Sequence, residues 1–356
     1  MRIGVIMSGG RGTRFWPLSR RRKPKQLLPL IDGKSLLQLT IERISPLFGP
    51  GAVWVVTQES QLEETQAVVG LDRVKALCEP IGKNTAPCIA YVACQARAEF
   101  TDATLAVFPA DHVIRNTEAF RKVVAAGMDF VEETGSILTI GIEPDRPATG
   151  FGYIKRGGVV GSAGGFDFHE VAGFTEKPGK EVARRYMDDG SYLWNAGMFI
   201  FKASDMLSEM AKHLPGIASS FCEYEVAVGT DSEEEKKSEA YTSARDISID
   251  FGVMEKTDRA CVVPADIGWD DAGSWDSFSK YLPHDDKGNA VSGGFAAVDT
   301  ANCIVYSDRR MVAALGVEDL IVISAGDAVL VASRDRAEEV RKVVEILAAK
   351  GLKDLL

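Results

Sequence analysis

Residues 3–29 read IGVIMSGGRGTRFWPLSRRRKPKQLLP, and the opening Ile3-Gly4-Val5-Ile6-Met7 has the length and β-branched content of a buried parallel strand. Immediately behind it, Ser8 to Pro29 holds three glycines, five arginines and two lysines. The glycines therefore fall where a strand passes into a loop, which is where α/β sheets bind ligands. Gly9, Gly10 and Gly12 are free to take φ > 0 and turn successive backbone N–H groups toward one point. Arg11, Arg14 and Lys25 add full positive charge around that point, and a polyphosphate is the guest such a loop suits. Two familiar phosphate loops do not fit. Within this stretch no Gly-Lys-Ser/Thr closes a Walker loop, and Phe15 stands where the dinucleotide fingerprint G-x-G-x-x-G has its third glycine.

The remaining chain supplies a frame for this loop. Ser35 can cap a helix whose Leu36, Leu39, Ile41 and Ile44 keep helical spacing until Pro46. Strands are expected at Ala52 to Thr57, Val74 to Cys78, Ala103 to Phe108 and Ser136 to Gly141. Helices are expected from Asn84 to Phe100 and from Thr117 to Glu133. This alternation calls for a mostly parallel sheet with helices on both faces. Beyond Gly150 the pattern loosens into a mixed region with an apolar strand around Met198, and the charge run Asp231 to Lys237 reads as a solvated loop or helix face. After Pro283 the composition shifts. Short apolar runs recur from Ala290 to Ser333, followed by a helix from Arg336 to Ala349. The expected division is a domain of residues 1–283 and a β-rich domain of residues 284–356, either a short β-helix or a small antiparallel sandwich.

Composition bounds the partners. A chain of 356 residues favours two domains, and 46% hydrophobic with 26% charged residues is ordinary globular material. A net charge of −10 argues against nucleic acid and anionic membranes, both of which reward a basic surface. No run of about 18 apolar residues occurs and no signal-like apolar segment opens the chain, so a cytoplasmic protein is expected. Six cysteines without a C-x-x-C pair read as buried reduced thiols.

Gly9-Gly10-x-Gly12-Thr13-Arg14, Trp16-Pro17-Leu18-Ser19-Arg20 and Pro24-Lys25-Gln26 together resemble the signature loop of the sugar-1-phosphate nucleotidyltransferases. The Phe-Trp-Pro-Leu-Ser-Arg wording is similar to the bacterial mannose-1-phosphate guanylyltransferases. Further matches follow in family order: Glu79-Pro80 with Gly82 to Pro87, Phe108 to His112, Phe174 to Pro178, Trp194 to Phe199, Ser248-Ile249-Asp250 and Gly268 to Trp275. The resemblance implies a Rossmann-like nucleotidyltransferase sheet and a left-handed β-helix for the C-terminal domain. It implies a Mg²⁺-dependent reaction of GTP with mannose 1-phosphate giving GDP-mannose and diphosphate. Relatives often carry a further cupin-type isomerase domain, for which this sequence has no room, so isomerase activity is not expected.

Positioning and charge stabilisation carry most phosphoryl-type transfers, so the implied roles are electrostatic. Arg14 and Lys25 are the catalytic cations. Ser8, Gly9, Gly10, Gly12, Thr13, Glu79, Asn84, Thr85 and Asp111 belong to the nucleotide, although Asn84 could equally be a helix N-cap. Lys177 suits the sugar phosphate, and Gly150, Gly152, Glu176, Asn195 and Asp250 the sugar. Magnesium needs only one or two carboxylates besides phosphate and water, here Asp111 and Asp271, with Asp270 a neighbour. His112 has no base work to do, since the attacking phosphate is already ionised at neutral pH. The alternatives are another base or sugar, or an inactive regulatory homologue. The exposed strand edges of the C-terminal domain point to a homodimer.

Overall fold

The apolar run after Met1 does form a buried strand, β1 (Arg2–Met7), in a computed structural model that describes residues 1–10, 12–70 and 74–356. Arg11, read above as one of the loop's cations, lies outside the described residues. The hairpin β2 (Pro29–Ile31) and β3 (Lys34–Ser35) follows the loop. The one Gly-Lys-Ser of the chain, Gly33-Lys34-Ser35, sits in that hairpin, and its serine caps α1 (Leu36–Ile44) in a reciprocal box with Gln38. Next come β4 (Val53–Gln58), α2 (Leu62–Val69), β5 (Lys75–Glu79), α3 (Thr85–Glu99), β6 (Thr104–Pro109), β7 (Val113–Ile114), α4 (Thr117–Thr134) and β8 (Ile137–Ile142). β2, β3, α2 and β7 have no counterpart among the expected elements; the other elements lie within a residue or two of the expected bounds.

The mixed region resolves into β9 (Tyr153–Ala163), β10 (Phe166–Thr175), α5 (Lys180–Asp189), β11 (Tyr192–Lys202), α6 (Ala203–His213), α7 (Pro215–Ala227), α8 (Glu233–Ser243), β12 (Ala260–Pro264), β13 (Trp269–Asp270) and α9 (Trp275–Ser279). Nine strands make one sheet in the order β5-β4-β1-β6-β11-β8-β12-β10-β9. Parallel ladders join β5 to β4, β4 to β1, β1 to β6 and β8 to β12. The antiparallel members are β11, wedged between β6 and β8, and β10, between β12 and β9.

Residues along β6 alternate between two cores. Leu105 and Val107 pack under α3, α6 and α7, while Ala106 and Phe108 face α1 and α4. A strand buried on both faces has to be continuously apolar, which is what the sequence shows. Each of the larger side chains contributes about 1.5–3 kcal/mol on burial. The charge run at residues 231–237 is not fully solvated: it enters α8, where Lys237 is buried with its ammonium over the Tyr91 ring and paired to Glu234.

The C-terminal strands are β14 (Ala290–Ser292), β15 (Phe295–Val298), β16 (Ile304–Ser307), β17 (Val312–Leu315), β18 (Leu320–Ala325) and β19 (Ala328–Ser333). Ala290, Ile304 and Ile321 stack in register through parallel pairing of β14, β16 and β18, and β15 pairs parallel with β17. Successive strands stacked as rungs decide for the β-helix over the sandwich, and β19 closes it antiparallel. The terminal helix starts later than expected: residues 334–339 form a tight 3₁₀ segment interrupted at Arg336, and α10 (Val340–Ala349) follows. Among the described residues, no helix is long and apolar enough to cross a membrane.

Candidate active site

Where β1 ends, the chain folds back on itself. Gln26 donates from Nε2 to the carbonyls of Ser8 (2.8 Å) and Gly10 (3.0 Å), so the segment after the loop fixes the loop's shape. At Gly12 the backbone is left-handed (φ 58°), and a β-carbon there would lie 2.7 Å from Lys25 Cβ and 2.8 Å from its amide nitrogen. Only glycine lets Lys25 pass so close. Phe15 stacks near Trp275, with ring centroids 5.0 Å apart.

Lys25 then runs inward and is 2% exposed. Its ammonium donates to the Asp111 carbonyl (3.1 Å) and the Asp271 carbonyl (3.0 Å), and reaches Asp111 Oδ2 at 3.3 Å. An ammonium has three N–H bonds, and all three are directed at protein oxygens. The short ladder between β7 and β13 pairs Val113 with Asp270 and Ile114 with Trp269, which brings Asp111 and Asp271 to one place. Burial would raise Asp111, but Lys25, His112 and local hydrogen bonds outweigh it and hold the carboxyl below its usual range. Burial, reinforced by Asp270 and Asp111, raises Asp271 despite Lys25. Asp270 is turned away: it accepts from the Ala272 amide at 2.8 Å and pairs with Lys280. Burial, with Lys25 and Arg43, lowers His112 to about 4 against the pull of Asp111. Its neutral ring accepts from Trp269 Nε1 at 3.1 Å.

The two aspartates lie on a cleft of about 440 Å³ at the carboxyl ends of β1 and β6, with Gly9 and Gly10 on the same wall. One end of the cleft holds Glu79, Asn84 and Thr85. Glu79 accepts from the Tyr241 hydroxyl at 3.0 Å, and its burial lifts it to about 7. The Asn84 side chain caps α3, and Thr85 Oγ1 accepts from the Ile249 amide at 2.8 Å. Lys83, not singled out from the sequence, also lines this end and donates to the Ala244 carbonyl. Gly150, Gly152, Glu176, Asn195 and Asp250 line the same cleft. A β-carbon at Gly152 would collide with Glu176 Oε2, so the carboxylate and the backbone need glycine to share this space. Asn195 donates to Asp250 Oδ1 (2.7 Å) and accepts from Thr139 and the Gly197 amide. Burial and the charge of Glu176 raise Asp250 to about 6.

Three loop residues stand elsewhere. Gly12 packs on Lys25, Thr13 lines a separate hollow against α10, and Arg14 pairs through Nε with Glu338 at 2.7 Å. Lys177 is exposed, in left-handed backbone (φ 49°), and bonded to Glu176 at 2.7 Å. Arg14 and Lys177 both border a second cavity that shares Gly150, Phe151 and Asp271 with the cleft. Gln26, Phe151, Thr139 and Glu338 were not assigned roles from the sequence. Gln26 follows Lys25 in a quoted motif, whereas nothing local to Glu338 signals its partner across the chain.

A family model described as "Nucleotidyl transferase" matches residues 3–288, and one described as "MannoseP isomerase/GMP-like beta-helix domain" matches residues 293–347. A mannose-1-phosphate guanylyltransferase of Escherichia coli is 39% identical over 98% of this chain and 74% of its own length. The xanthan biosynthesis protein XanB of Xanthomonas campestris pv. campestris is 40% identical over 98% of this chain and 74% of its own. A solved structure described as a mannose-1-phosphate geranyltransferase from Thermus thermophilus superposes with a TM-score of 0.85 at 37% identity, covering 98% of this chain and 99% of that one.

Proposed function

The chain belongs to the nucleotidyl transferase family, and on that premise we propose that it is a mannose-1-phosphate guanylyltransferase, joining GTP to mannose 1-phosphate to give GDP-mannose and diphosphate. The observation that carries the reading is the buried Lys25 ammonium bonded to Asp111 and to the Asp271 carbonyl behind a cleft that both aspartates line together with Glu79, Glu176 and Asp250.

Both substrates are anions, so the first task is to suppress repulsion and the second is to align the attack. A mannose 1-phosphate oxygen bonds to the α-phosphorus of GTP as the bond to the bridging oxygen of the leaving diphosphate breaks. Glu79, Asn84 and Thr85, with Gly9 and Gly10, belong to the nucleotide side, Ser8 and Gly12 shape the loop behind them, and Thr13, turned toward α10, has no contact with this cleft. Glu176, Asn195 and Asp250, with Gly150 and Gly152, belong to the sugar, and Lys177 to its phosphate. Asn195 acts mainly through Asp250, whose carboxylate it orients. Arg14 faces the leaving group. Asp111 and Asp271 would hold a Mg²⁺ ion, which when bound neutralises charge on the phosphate oxygens. Their chemistry fits: both are hard oxygen donors lining one cleft, and Mg²⁺ needs only one or two carboxylates besides water and phosphate. The reading includes residues 1–283 as catalytic domain and 284–356 as β-helix-like domain. It also includes a cytoplasmic homodimer without nucleic-acid or membrane partners, supported by the net charge of −10 and by exposed Met311 and Leu315.

Diphosphate release measured across a grid of nucleoside triphosphates and sugar 1-phosphates, with Mg²⁺ present, tests the activity. GTP with mannose 1-phosphate should give the highest kcat/KM, and no turnover with any pair would refute the reading. Asp111→Asn and Asp271→Asn should each cripple turnover, Asp270→Asn should be far milder, and the double mutant should be little worse than either single one. Multiplying effects with an unshifted magnesium requirement would exclude a shared ion.

A further inference from the structure

The second cavity, of about 660 Å³, draws its cations from both domains: Arg14, Arg146 and Lys177 from the catalytic side, Arg334 from the segment before α10, and Arg341 and Lys342 from the start of α10. It meets the cleft at Gly150, Phe151 and Asp271. Resting on the guanylyltransferase reading, we propose that this chamber seats the diphosphate half of the nucleoside triphosphate and the inorganic diphosphate left after transfer, with Arg341 as a binding cation supplied by the C-terminal domain and Glu338 as a built-in stand-in for a phosphate.

Asp271 borders both spaces, so a triphosphate whose α-phosphorus lies in the cleft extends past this carboxylate directly into the chamber. The chamber's acids are largely matched already. Asp276 is paired with Arg334 at 2.7 Å, and Glu339 with Arg336 at 2.8 Å and Lys342 at 2.6 Å. Arg341 has no carboxylate partner among the described residues. Arg14 has one, Glu338, at 2.7 Å from Nε, and both side chains are substantially exposed. An exposed pair of this kind is weak. A phosphate offers more charge and a geometry that a guanidinium meets with two parallel bonds, so it displaces the carboxylate. Until then Glu338 keeps Arg14 charge-matched and facing the chamber. Because Arg14 must leave Glu338 to bind phosphate, the carboxylate competes with the ligand.

The test is calorimetric binding of inorganic diphosphate to the full chain with Mg²⁺, together with diphosphate inhibition against GTP. Arg341→Gln should weaken diphosphate binding about tenfold, the loss of one charge-assisted contact, without changing the affinity for mannose 1-phosphate. Since Arg341 is exposed, its unfolding midpoint should stay at the wild-type value. Glu338→Gln should tighten diphosphate binding severalfold and lower the KM for GTP. Unchanged diphosphate affinity in Arg341→Gln would overturn the chamber assignment, and weaker binding in Glu338→Gln would overturn the stand-in role. Either result in an enzyme that still makes GDP-mannose leaves the activity intact, whereas absence of turnover in the wild type counts against the activity itself.

Discussion

Lys25 carries two loads that its place in a basic stretch does not reveal. From the sequence it is a phosphate-side cation whose loss should hurt turnover and spare folding. In the fold its ammonium is committed to two carbonyls and a carboxylate, so Lys25→Ala strands all three and should also destabilise the protein by about 1–3 kcal/mol. Turnover should fall on the order of 10²- to 10³-fold. Denaturant unfolding alongside initial rates checks both, and a wild-type unfolding midpoint with only a raised KM for GTP would contradict the assignment. Glu79 gives a second prediction, read in pH. Its carboxyl is raised from 4.5 to about 7 in the fold, chiefly by burial, so the unfolded chain loses this proton at lower pH than the folded one. Its contribution to stability is therefore retained below pH 4.5 and lost as pH rises to about 7. Glu79→Gln keeps an acceptor for Tyr241 and should raise the melting temperature, by a margin that grows across that window and then levels off. A constant margin from about pH 4.5 to about pH 8 would contradict the burial argument.

The turn after β1 depends on a single backbone conformation. Gly12→Ala places a β-carbon in left-handed backbone, at about 1–2 kcal/mol, and presses it on the Lys25 backbone. The variant should melt lower and lose activity together, because moving Lys25 moves both aspartates. Full activity at a reduced melting temperature would uncouple the turn from the site. The strands and helices around this turn are legible because burial on both faces forces continuous apolar runs and because caps such as Ser35 announce helix starts. The insertion of β11 between β6 and β8 is not, since an apolar strand looks the same in either direction and at any place in the sheet. For the same reason the loop could be recognised by its glycines while the directions of Thr13 and Arg14, set by packing against a helix more than three hundred residues away in the chain, could not. Asp111 and Asp271 were readable as a pair only through resemblance. The two-residue ladder that joins them is too short to leave a periodic signal.

The two domains do not have separate cores where they meet. Phe15, Trp16, Trp275 and Phe278 pack in one cluster with Ile304, Ile321, Ile323, Leu330 and Val340, and the Trp16 indole donates to the Leu355 carbonyl at 2.8 Å. The whole chain should unfold in one calorimetric transition. Ile321→Ala, fully buried and outside the cleft lining, should cost about 2–5 kcal/mol and lower the melting temperature of the catalytic domain by the same amount as that of the β-helix. Two resolved transitions, with only one shifted, would show the domains to be independent. The shared cluster also bears on how the protein is made. Phe15 and Trp16 precede in the chain the rungs and helix that cover them, which are translated roughly 15–60 s later at ordinary elongation rates. Through that interval the nascent chain carries an aromatic pair whose lining is incomplete, a natural hold for a chaperone. The nucleotide loop is therefore completed only once the β-helix and α10 have been made, and a product cut short before them should lack a working site.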